Sequence, residues 1–100
     1  TWKMNTQNIM EVFHRSRRLI ALTRDCILDR QYRKLRQCLL IAEKQLQEGN
    51  SQEKMVIQND YMFSLSTLID RLGQERKIVL GLLPPMLQRA YLSQINTSGV

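Results

Sequence analysis

At 100 residues with 43% apolar and 24% charged side chains, the sequence reads as one ordinary globular unit and excludes a disordered chain. No apolar run approaches the roughly eighteen residues of a membrane span, and two cysteines are too few for a disulfide-dense scaffold. The net charge of +6 sits wholly in the first third: residues 1–36 carry nine Lys or Arg against Glu11, Asp25 and Asp29, whereas residues 37–100 carry six of each sign.

From about Asn5 to Leu28, apolar residues recur at Ile9, Val12, Phe13, Leu19, Ile20, Cys26 and Ile27, the spacing of one long amphipathic helix. Asn5 or Thr6 is the expected cap. The triplet Asp29-Arg30-Gln31 is a weak boundary, so a helix continuing into the next segment stays open. The second helix spans about Tyr32 to Glu48 on a stripe of Tyr32, Leu35, Leu39, Ala42 and Leu46. Gly49 suits a left-handed helix stop, and Asn50 with Glu53 forms a capping pair that opens the third helix. That helix runs from about Ser51 to Leu72 on Met55, Met62, Leu65, Ile69 and Leu72, widened by Ile57, Tyr61 and Leu68. Gly73 interrupts the pattern. Residues Gln74 to Leu82 read as helix, and Leu83 before Pro84 is biased out of helical geometry. Pro85 then starts a last helix through Ile95, with Leu87, Tyr91 and Ile95 on one side.

No strand pattern competes, and short connections make successive helices antiparallel neighbours. The helix pairs lack most of the small-residue positions that helix-pair solenoids need. The expectation is an all-α fold: an antiparallel helical bundle of three long helices plus a short C-terminal helix. Residues 1–95 form a single helical domain and 96–100 a flexible tail, and the start at Thr1 suggests a fragment of a larger protein. Cys26 and Cys38 read as reduced core thiols, pointing to the cytoplasm or nucleus.

Four apolar residues do not fit this scheme. On an ideal helix Leu40 and Ile41 fall about 140° and 120° to either side of Leu35, nearly opposite the stripe. Val56 and Phe63, seven apart, lie off the main seam of the third helix. Single exposed apolar residues are common, but these four are the candidate partner interface. A second candidate is the basic patch Arg15, Arg17, Arg18, Arg24, Arg33, Lys34 and Arg36. Arginine suits forked contacts to carboxylate or phosphate.

The single histidine, His14, has no partner for catalysis or metal binding, and no phosphate loop, nucleophile elbow or paired carboxylate motif occurs. No enzyme activity, cofactor or metal is expected. The sequence points to a docking or scaffold domain of an intracellular multiprotein assembly. Its partner is another protein or a second copy, and an acidic partner surface would suit the arginines. The alternative is a nonspecific nucleic-acid-binding helical domain that uses the N-terminal arginines.

Overall fold

The computed structural model describes residues 2–98, with side chains from Met10 to Ser93. Among these residues every element is helical: α1 (Trp2–Leu28), α2 (Tyr32–Glu48), α3 (Ser51–Val56), a π-helical segment (Ile57–Tyr61), α4 (Met62–Asp70), α5 (Glu75–Leu82) and α6 (Pro85–Ser98). Val56, Ile57, Tyr61 and Met62 all keep right-handed helical angles, so α3, the π segment and α4 form one continuous rod. The arrangement differs from three long helices and a short one. Residues Glu75–Leu82 form a separate helix, and α6 extends over fourteen residues. The molecule measures 49 × 33 × 20 Å. Its thinnest dimension is two helix diameters, so it is a two-layer slab. α1 packs on α2 and on the composite rod, while α6 packs on α2 and α4.

α1 starts at Trp2, so neither Asn5 nor Thr6 marks its beginning; the side chains of Asn5, Thr6 and Ile9 lie outside the described residues, as does that of Ile95. The helix ends in a Schellman motif. Gln31 N–H donates to the Cys26 carbonyl at 2.8 Å and Arg30 N–H to Ile27 at 3.2 Å, with Arg30 in the left-handed region at φ 57°. This settles the open boundary, because a left-handed residue stops the helix and turns the chain back as α2.

Gly49 corrects the expectation of a left-handed stop. Its φ is −70° and ψ 167°, so the backbone is extended. Close approach is what favours glycine there: a Cβ would lie 2.4 Å from the Gln45 carbonyl oxygen and 2.8 Å from Glu53 Cβ. The Asn50–Glu53 capping box forms as read, with both hydrogen bonds at 2.9 Å.

The core follows the α2 stripe closely. Leu35, Leu39 and Ala42 are fully buried and Leu46 nearly so. In the composite rod the seam departs from simple counting. Met55 is 53% exposed, whereas Ile57 is buried. The π segment holds one residue more than an α turn, which rotates everything before it by roughly one residue step, about 100°. Met55 is thereby carried off the seam that contains Met62, and Ile57 is carried onto it.

On α1 the buried line is Val12, Ser16, Leu19, Thr23 and Ile27, while Phe13 is exposed. Two hydroxyls thus stand in an apolar seam, and the π segment answers both. Ser16 Oγ donates to Asp60 at 3.3 Å. Thr23 Oγ1 donates to the Leu19 carbonyl at 2.7 Å and lies 2.8 Å from the Tyr61 hydroxyl. Thr23 has already committed its proton, so Tyr61 is the donor between them. Burial pushes the Tyr61 hydroxyl far above the ordinary tyrosine range. Nearby, Cys38 contacts both the Cys26 thiol and the Thr23 hydroxyl, and burial raises its pKa too. Both cysteines are free thiols.

Leu83 takes the extended conformation before Pro84, and α6 begins at Pro85. No local side chain serves this start. Glu43 from α2, 6% exposed, supplies the acceptor: its carboxylate receives Met86 N–H at 3.1 Å and Leu87 N–H at 3.0 Å. At the far side of α6, Tyr91 donates to Asp70 at 3.2 Å and accepts from Arg76 at 3.0 Å.

Glu43→Ala strands two amides at the start of α6, and the loss of a buried acceptor costs about 1–3 kcal/mol. A clearly lower urea midpoint is expected, with Glu43→Gln falling between it and the parent; an unchanged midpoint for alanine would contradict the capping role. Tyr61 gives a second expectation. Above about pH 10 an unfolded tyrosine loses its proton while the buried one keeps it, so stability falls as pH rises through that range. Urea midpoints between pH 8 and 11 should decline less steeply for Tyr61→Phe than for the parent, and parallel slopes would refute the assignment.

Candidate docking surface

The four off-seam residues are not gathered in one place. Leu40 and Ile41, 45% and 49% exposed, lie on α2, and Phe63, 65% exposed, lies on α4. Val56 is half-buried, because the same π rotation that displaces Met55 also turns it.

The basic patch divides in a similar way. Arg15 pairs with Glu53 at 3.7 Å and Arg17 with Asp60 at 3.5 Å, so both arginines link α1 to the composite rod. Arg17 also lies 5.2 Å above the Phe13 ring, and His14 meets that ring edge-on. Arg24 pairs with the adjacent Asp25 at 3.6 Å, and Arg30 with Glu75 at 2.8 Å. Arg36 donates to the Leu82 carbonyl at 3.0 Å, covering the end of α5. Among the described residues Arg18, Arg33 and Lys34 enter no ion pair. The surplus charge that the sequence spreads over thirty-six residues is therefore concentrated largely at the head of α2.

That location works against the helix itself. A helix N-terminus carries a partial positive charge and favours acids in its first turn. α3 has its capping box, α5 has Glu75 in its first turn, and α6 has Glu43. α2 begins at Tyr32 with no acid in its first turn and no side-chain cap, and its second and third residues are Arg33 and Lys34. Lys44, outside the part of the sequence that carries the charge excess, joins them: on the same ideal wheel it falls about 180° from Leu35, between Leu40 and Ile41. The charge count by segment hides it, although the wheel would have found it.

Elsewhere an open cleft of about 440 Å³ lies where α2, the π segment and α6 meet, with Leu46, Met86 and Ala90 below and Asn59 and Arg89 on its rim. Among the described residues no group of three His, Cys, Asp or Glu side chains is arranged to hold a metal ion. No helix of the described residues is long and apolar enough to cross a membrane.

Residues 4–97 match the family model described as a domain of unknown function, DUF7674, and the chain belongs to that family. No curated protein and no solved structure matches it. The unfavourable charges at the head of α2 can be measured directly. Lys34→Glu puts an acid where the helix favours one, a change worth about 0.3–1 kcal/mol. The urea midpoint of this variant should rise above that of the parent, and a fall would show that Lys34 is there for stability.

Proposed function

We propose that this DUF7674 domain is a non-enzymatic docking module of an intracellular multiprotein assembly, cytoplasmic or nuclear. It would present helix faces to another protein or to a second copy of itself. The platform would be an antiparallel bundle of α1, α2 and the composite rod, with α5 and α6 closing one side. One observation carries this reading: α2 is apolar on two opposite faces. Its inner seam of Leu35, Leu39, Ala42 and Leu46 is consumed by the core, while Leu40 and Ile41 stand about half exposed on the other side. Each side chain of that size gains about 1.5–3 kcal/mol on full burial, so a partner covering them gains what the isolated domain leaves unused. Phe63 offers a second such point on α4.

A nucleic-acid-binding role is the second reading, and Arg18, Arg33 and Lys34, which enter no ion pair among the described residues, favour it. Against it, Arg15, Arg17, Arg24 and Arg30 already face carboxylates of the chain itself. Phosphate contacts from the basic patch would have to come from its remaining members, Arg18, Arg33, Lys34 and Arg36, giving a shallower dependence on salt.

Leu40→Glu and Phe63→Glu, made singly, should leave the urea midpoint within about 0.5 kcal/mol of the parent, because both positions are exposed. At least one should abolish self-association or capture of the native partner, read by light scattering after size exclusion and by co-purification. If neither changes oligomeric mass or partner recovery, the exposed residues are ordinary surface and the docking role fails.

A further inference from the structure

The outward face of α2 joins exposed apolar side chains with a surplus of cations. Leu40 and Ile41 stand exposed about 100° apart, and between or beside them project Arg33, Lys44 and Lys34. With Arg36 these are four cations against one acid on this face, Glu48, or +3. Arg33, Lys34 and Lys44 make no ion pair among the described residues, and the first two crowd a helix start that has no acid.

We propose that this face binds an acidic amphipathic helix of another protein. Leu40 and Ile41 enter its apolar seam, and Arg33 and Lys34 toward one end of the patch and Lys44 toward the other meet its carboxylates. The inference rests on the docking reading above and names the partner class for one of its two surfaces. The dimensions suit a helix. From Arg33 to Lys44 is eleven residue steps, about 16 Å at 1.5 Å each, or three turns. A straight three-turn segment laid along α2 reaches both ends of the patch, and helices pack side by side at 8–10 Å with their ridges interleaved.

Charge separates this occupant from the others. A second copy docking through the same face would set arginine and lysine against their own kind, which disfavours self-pairing. Nucleic acid would satisfy the cations but leave two branched apolar side chains with nothing to cover them. An acidic helix with an apolar stripe answers both features, and its carboxylates also offset the partial positive charge at the start of α2.

The test is a selection from a displayed library of random helical eighteen-residue peptides against the intact domain, followed by fluorescence anisotropy on the enriched peptides. Enrichment of Asp and Glu flanking an apolar stripe is expected. Affinity should fall by about tenfold or more, at least one 1.4 kcal/mol step, for Leu40→Glu and for the Arg33→Glu/Lys34→Glu double variant. Unfolding does not explain the latter loss, since acids there suit the helix, and circular dichroism confirms it. A peptide with its acids changed to lysine should recover binding to the double variant. Enriched peptides without acidic bias, or binding indifferent to these substitutions, overturn the proposal. So does duplex DNA that binds as tightly as the peptides and ignores Leu40→Glu. Peptides that enrich but are lost only with Phe63→Glu overturn the assignment to α2 and leave the docking reading intact. Failure to enrich any peptide overturns the assignment, and the docking reading then stands or falls on the light-scattering and co-purification result.

Discussion

One buried carboxylate ties the second helix of this fold to its sixth. Glu43 lies inside the slab on α2, a place where a charge is costly unless every lone pair is answered. The start of α6 answers it with two amides that have no other acceptor. Neither group is tolerable without the other. Pro84 and Pro85 remove the usual local solution, since neither offers a capping side chain and neither has an N–H. The position of α6, with the burial of Leu87 and Tyr91 beneath it, follows from that requirement.

The same helix shows how far a sequence can be read. The seam of α2 is legible because four apolar residues repeat at intervals of three and four, and burial of those four follows the reading. Glu43 escapes it, because a glutamate beside a stripe is ordinarily taken for its solvated margin. A signal existed: a helix opening on two prolines lacks a capping residue and so needs an acceptor from elsewhere. Ser16 and Thr23 escape for a related reason. Hydroxyl residues suggest surface, and their partners, Asp60 for Ser16 and Tyr61 beside the Leu19 carbonyl for Thr23, are not legible in the stripe itself.

The π segment is the harder case. No residue type announces an extra residue in a helical turn, so counting at a fixed angle carried Met55 into the core and Ile57 to its margin. The error lies entirely on the N-terminal side of the segment, and Met62, Leu65 and Ile69 beyond it are all buried. For the candidate surface the outcome is parallel. The α2 residues lie where a regular helix puts them, while Val56, beside the irregular turn, does not. The arginines show a different limit: their number is legible, but which acid each will meet depends on tertiary neighbours such as Glu53 and Asp60.

The clamp between α2 and α6 also sets an order of events at the ribosome. The acceptor stands on α2 and its donors come more than forty residues later, so a nascent chain that has reached only α5 leaves this carboxylate without the two amides that receive it. That intermediate lacks the clamp until α6 emerges. The domain therefore becomes rigid only once α6 has been made, and a product that stops before the prolines is one that chaperones and proteases would recognise as unfinished.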